Sequence, residues 1–161
     1  MIGIEQILAL EARSRQQGSG ITRSDLSGVW LLVQNWQRDG KDPPPGTGSL
    51  LRFVGAQLDL TPQDDALKIA NQVGLGSLTL RFEGCAELEG MRPLLKFRFS
   101  TMMLNLGART LLTRELPAPS RSKTPFFALI DVHHDEGCDW LTARGRGGGL
   151  ALWKKLGTIR P

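Results

Sequence analysis

His133, His134, Asp135 and Glu136 form the densest run of metal-ligating and proton-transferring side chains in the sequence. Adjacent residues of a strand point to opposite faces, so neighbouring histidines reach one ion only across a sharp turn, and there is no third histidine. A polar turn before Gly137 accounts for the run. Nucleophilic catalysis needs a nucleophile, a His base and an orienting acid, and no Gly-x-Ser-x-Gly elbow accompanies these histidines. Cys85 and Cys138 stand alone, without His or Cys at metal spacing, and are expected to be free thiols. The stretch "ARGRGGGLALWKK", Ala143 to Lys155, raises the question of phosphate binding. A phosphate loop needs a strand before it and a helix after it, whereas "LALWKKL" alternates like a strand. An Arg-Gly nucleic-acid patch expects polar repeats, and here a single copy sits between apolar runs. A hairpin needs only glycines free to take positive φ, which Gly145 to Gly149 supply. The sequence therefore predicts no catalytic residue, metal site, cofactor or nucleic-acid partner.

The elements that must position any site come from a chain of 161 residues, the size of one domain, 1–161, able to bury a core of its own. Its 40% hydrophobic and 22% charged content is that of a globular protein, and no apolar run is long enough to span a bilayer as a helix. Met1 to Arg15 carries Glu5 and Glu11 and does not resemble a secretory or transit peptide, so a cytoplasmic location is expected. The formal net charge of +4 is unevenly spread: seven cations face one acid, Glu115, between Met91 and Pro125. That side suits an anionic surface.

"IGIEQILALEARSR" spaces Ile4, Ile7, Leu8 and Ala12 at helical intervals, predicting a helix over about residues 2–16 that ends at Gly18. Beyond it the period changes to two. "LTLRFEG" sets Leu78, Leu80 and Phe82 against Thr79, Arg81 and Glu83, and "LLKFRFS" sets Leu95, Phe97 and Phe99 against Lys96, Arg98 and Ser100. Similar runs occur at "GVWLLVQNW", "SLLRFVG", "ALKIANQV", "RTLLTREL", "FFALIDV", "DWLTAR" and "LALWKKL". Nine short strands predict an all-β, mainly antiparallel fold, a barrel of about eight or nine strands or a sandwich. "TPQD", Thr61 to Asp64, suits a helix start or a type I turn, and a turn followed by a strand is preferred. "TMMLNLG", Thr101 to Gly107, reads either as core or as an apolar loop that dips into lipid.

Gly28 and Trp30 at the head of the first strand, with Arg144 near the end of the chain, match the closure of a lipocalin-like barrel. There the arginine lies across the indole in a cation–π contact of roughly 0.5–2 kcal/mol. The sequence resembles the plastid lipid-associated proteins, or fibrillins, of plastids and cyanobacteria. Leu26, Gly28, Trp30 and Leu32 fall on that family's opening motif, Asn71 and Val73 on its middle strand, and Arg144, Gly145 and Gly148 on its closing hairpin. Gln34, Leu141 and Ala151 depart from its pattern. The resemblance implies a lipocalin-like barrel and a non-enzymatic carrier of a prenylquinone, carotenoid or lipid, peripheral to thylakoid membranes or lipid globules. Trp36, Leu80, Phe82, Phe97 and Phe99 are the candidate cavity lining. The alternatives are a bilin lyase or chromophore chaperone, which wants acids such as Glu83, Asp131 or Asp139 facing inward, and a structural or RNA-binding protein.

Overall fold

The computed structural model describes residues 2–44, 56–135 and 137–157. Helix α1 (Ile4–Gln17) starts where the Gly3 N–H donates to Gln6 Oε1 and stops at Gly18, whose φ of 77° breaks the helix while its N–H still reaches the Ser14 carbonyl. Its buried face differs from the expected stripe. Ile7, Glu11 and Ser14 are buried, whereas Leu8 and Ala12 are exposed. The apolar spacing missed this because a carboxylate occupies the centre of the buried face. A short helix α2 (Arg23–Leu26), not expected from the sequence, is capped by the Thr22 N–H bonding to Asp25 Oδ2 at 2.8 Å.

Nine strands follow: β1 (Gly28–Trp36), β2 (Gln57–Gln63), β3 (Ala66–Leu75), β4 (Leu78–Glu89), β5 (Leu94–Leu106), β6 (Arg109–Glu115), β7 (Phe126–Asp135), β8 (Cys138–Gly145) and β9 (Leu150–Leu156). Eight of the expected strands are present. The "SLLRFVG" expectation lies outside the described residues. The ninth, β2, was not foreseen, because "TPQD" is read more readily as punctuation than as the end of a strand. The chain instead runs extended through Thr61–Gln63 and turns at Asp64, where φ is 49°. The expected polar turn also moves, since His133 to Asp135 are the last residues of β7. "TMMLNLG" is neither loop nor closed core: Thr101–Leu106 complete β5, and Gly107 makes the turn.

All pairings are antiparallel, and the sheet closes in a ring in the order β1–β2–β3–β4–β5–β7–β8–β9 and back to β1. β6 lies outside this circuit. One edge of β5 is divided, with Leu94–Lys96 paired to β7 and Thr101–Leu106 paired to β6. Inside the ring, Trp30, Leu58, Leu60, Leu67, Ile69, Leu95, Leu129, Leu141 and Trp153 form the main core. On the outside, Ile7 of α1 packs with Ile130 and Leu150 in a second, smaller cluster.

Extra residues in the strands decide which face a side chain takes, because one inserted residue reverses the alternation beyond it. Val33 is unpaired between Leu32 and Gln34 in β1, and Ser100 between Phe99 and Thr101 in β5. In β5 the inward positions therefore change from Leu95, Phe97 and Phe99 to Met102, Leu104 and Leu106. The sequence carries the trace of this, since its apolar residues change from odd to even numbers at Ser100.

Candidate functional site

Leu80, Phe82, Phe97 and Phe99 are brought together on the inner face of β4 and β5. Phe82 lies 5.6 Å from Phe99, Phe99 5.4 Å from Phe97, Phe97 5.1 Å from Phe127, and Phe127 5.4 Å from Trp153, measured between ring centres. These spacings are those of interacting aromatic pairs. The row starts at buried Trp153 and ends at half-buried Phe82. Beyond Phe82 the same face continues across the register partners Val73, Leu80, Leu104 and Leu112, then Leu75, Leu78 and Leu106. Its last members are exposed, Leu78 at 41%, Leu106 at 47%, Leu112 at 49% and Leu75 at 62%. The two turns that end it touch, the Gly107 N–H donating to the Ser77 carbonyl at 2.7 Å.

The reverse face of these strands is polar. Arg81 bridges Glu83 at 2.8 Å and Asp59 at 3.8 Å, and Lys68 lies 3.8 Å from Glu83. Bonding to Arg81 holds the Glu83 carboxyl below its ordinary range. The strands thus present ion pairs on one side and mainly leucine, methionine and phenylalanine on the other, where Asn71 lies opposite Phe82 and Arg114 opposite Met102. A further polar group sits on the inner surface near the ring wall. Asn35 shares a face with its partner Ala151, which packs on the inner core, and Asn35 Oδ1 is buried with no donor among the described residues. An acceptor in that position suits a ligand carrying a hydroxyl or amide donor. Nothing in the sequence marks Asn35, because only the Val33 bulge turns it inward.

Trp36 does not join this surface. The same bulge sends it to the outer face opposite Leu150, where it packs against the cluster beneath α1. Of the three carboxylates that a chromophore site would require, Glu83 faces outward in its ion pairs. Asp131 lies in the cleft between α1 and β7, near Arg13 and His133, where burial raises its carboxyl above the ordinary range. Asp139 alone faces inward, and it is engaged by His134 Nδ1 at 2.9 Å and Lys155 Nζ at 3.9 Å.

The closure expected between Trp30 and Arg144 is made by different residues. Trp30 is fully buried and donates its indole N–H to the Leu26 carbonyl at 2.8 Å, and the cation over its ring is Lys155, with Nζ 5.2 Å from the ring centre. Gly28 makes room for that lysine: with φ at 132°, a Cβ there would meet Lys155 Cε at 2.6 Å. Arg144 is on the other face and at the other end of the strands. It pairs with Leu150, whereas Trp30 pairs with Lys155, five residues or about 17 Å further along β9.

Arg144 instead locks α1 to the outside of the ring. Its Nε and Nη2 donate to Glu11 Oε1 and Oε2, both at 2.6 Å, in a two-pronged pair. Arg15 and Arg92 add bonds to Oε1 at 3.0 and 3.2 Å. The Arg144 bond is the largest influence on Glu11 and holds its carboxyl below the ordinary value of 4.5 against the opposing effect of burial. The glycine turn takes part as well, since Arg144 also donates to the Gly148 carbonyl.

No protein-family model, curated protein or solved structure matches this chain.

Proposed function

We propose that the protein is a non-enzymatic binder and carrier of an apolar small molecule, held on the inner face of β3–β6. The observation that carries this is the continuity of that face. An aromatic row leads from the buried core to leucines that remain exposed although they share one side of one sheet. Contiguous exposed apolar surface on this scale marks interaction sites. The motifs shared with plastid lipid-associated proteins support a prenylquinone, carotenoid or acyl lipid as the molecule, and the surface of a thylakoid membrane or lipid globule as the place of exchange. No helix among the described residues is long and apolar enough to cross a membrane.

Burying about 300 Å² of ligand on such a face contributes roughly 7 kcal/mol before association costs, which leaves binding weak enough for exchange. The decisive experiment incubates the protein with a thylakoid lipid extract, re-isolates it and identifies the bound molecules by mass spectrometry. A quinone, carotenoid or acyl lipid retained by the wild type and lost by Phe82→Asp supports the carrier. Repeated recovery of the protein with no apolar molecule overturns it, and transfer of a bilin would assign the ring to chromophore chemistry instead.

A further inference from the structure

On the outer side of the ring, where α1 meets the β8–β9 turn, a cleft of about 490 Å³ is lined by five arginines: Arg15, Arg38, Arg92, Arg144 and Arg146. No acid lines it. The carboxylate nearest to hand, Glu11, stands behind Arg144 and has both oxygens occupied by Arg15, Arg92 and Arg144. One negative charge therefore serves three guanidinium groups, and among the described residues the other two lack even that. Arg146 donates only to the Ser122 and Thr124 carbonyls, and Arg38 has no side-chain acceptor among the described residues. Arg92 Nε is buried and likewise has no acceptor there.

This imbalance is built by the fold. Arg15 is on α1, Arg38 follows β1, Arg92 sits in the β4–β5 turn, Arg144 is near the end of β8 and Arg146 lies within the glycine turn. Gly148 is what lets Arg38 lie across that turn, because a Cβ there would meet the Arg38 side chain at 2.8 Å. Four separate segments of chain thus converge with like charge, an arrangement that is unfavourable unless an anion completes it. Planar guanidinium forks match the tetrahedral oxygens of a phosphate in paired hydrogen bonds. The cleft is larger than a bare phosphate, and Leu94 and Phe126 supply an apolar wall for what the phosphate carries.

We infer that this arginine cleft binds the phosphate group of a phosphomonoester, either a soluble phosphorylated small molecule or the headgroup of a phosphatidic-acid-type lipid. The site is separate from the apolar face of β3–β6 and does not depend on it. It also gives the glycine turn a role that differs from a phosphate loop: arginine side chains, and not glycine amides, meet the anion.

The test uses the full chain and titrates it with inorganic phosphate and with glycerol 3-phosphate, against chloride at matched ionic strength, following binding by calorimetry and the thermal midpoint. Flotation with phosphatidylcholine vesicles, with or without phosphatidic acid, forms the second arm. Arg38→Gln is the diagnostic variant, since Arg38 takes no part in the Glu11 lock and its loss leaves the fold intact. Phosphate probes that bind more strongly than chloride, and about tenfold more weakly to Arg38→Gln, establish a soluble ester site. Binding seen only on phosphatidic acid vesicles and lost in Arg38→Gln establishes a lipid headgroup site. Leu106→Lys, which alters the apolar face, should keep either response, so failure of the carrier reading and failure of this one are told apart. No preference for phosphate in either arm, or an Arg38→Gln protein that is folded and binds as the wild type does, overturns the proposal.

Discussion

Glu11 is almost fully buried and three arginines reach it, yet Arg144 alone grips both of its oxygens. Removing one partner of a buried ion pair leaves a desolvated charge, so Arg144→Ala should destabilise the fold by about 3 kcal/mol, partly relieved by Arg15 and Arg92. A denaturant midpoint measures this, and the double variant with Glu11→Gln should recover part of the loss. The pH response has a definite sign. Because the folded carboxyl is held below 4.5, its contribution is complete above that value and disappears as pH falls through the lower folded value. Glu11→Gln should flatten the fall in stability on acidification, and an unchanged slope would remove Glu11 from this role. Asp131 has the opposite sign. Burial raises its carboxyl, so ionisation costs stability once pH rises above the unfolded value of 3.8, and Asp131→Asn should raise the thermal midpoint at pH 7. At this scale the sequence identified Trp30 and Arg144 as informative but paired them with each other. Residue types alone leave open which face and which end of a strand each occupies. Lys155 and Glu11, their true partners, carry no motif.

Register supplied what residue types lacked, and the strands show where alternation can be read and where it fails. β4, whose residues from Leu78 to Phe82 alternate without interruption, was legible, as were β8 and β9. β1 and β5 each contain an unpaired residue, so strict alternation from Trp30 would put Trp36 inside, where the structure does not have it, and strict alternation from Phe99 would hide the apolar continuation at Met102 and Leu104. A bulge is a property of two strands together, which is why a single sequence shows it only when apolar residues change parity, as they do at Ser100. Opposite that bulge, Gly84 sits where a Cβ would strike the Arg98 carbonyl. Gly84→Ala must push β4 and β5 apart, and we expect it to cost at least about 2 kcal/mol in a denaturant titration. A near-neutral result would show that the strands tolerate separation there. Deleting Ser100 removes the bulge and leaves Met102, Leu104 and Leu106 facing inward, because Phe99 and Thr101 then alternate directly. The folded fraction of that variant should still retain apolar ligand, and loss of the ligand would show that the bulge itself shapes the surface.

For the molecule as a whole, the closed ring was expected, whereas its uneven filling was not, because filling depends on which strands extend past their neighbours. β5 outruns β7, and the excess, together with β4 and β6, leaves apolar surface without a facing layer among the described residues. Leu78→Lys and Leu106→Lys, both at exposed positions, should change stability by less than about 0.5 kcal/mol while lowering affinity for the apolar ligand roughly tenfold. Equal retention of ligand by both variants would move the binding surface elsewhere. The lock between α1 and the ring also constrains how the chain comes together. Glu11 and Arg144 are 133 residues apart in sequence, and β1 cannot meet β9 until Leu150 has been made. On the ribosome, α1 emerges early with a carboxylate that has no final partner until nearly the whole ring has been synthesised, and β1 waits equally long for one of its edges. Completion of the fold is therefore timed by the last strands, and a chaperone acting on the nascent chain would find the Glu11 face of α1 and one edge of β1 unclaimed until β8 and β9 are made.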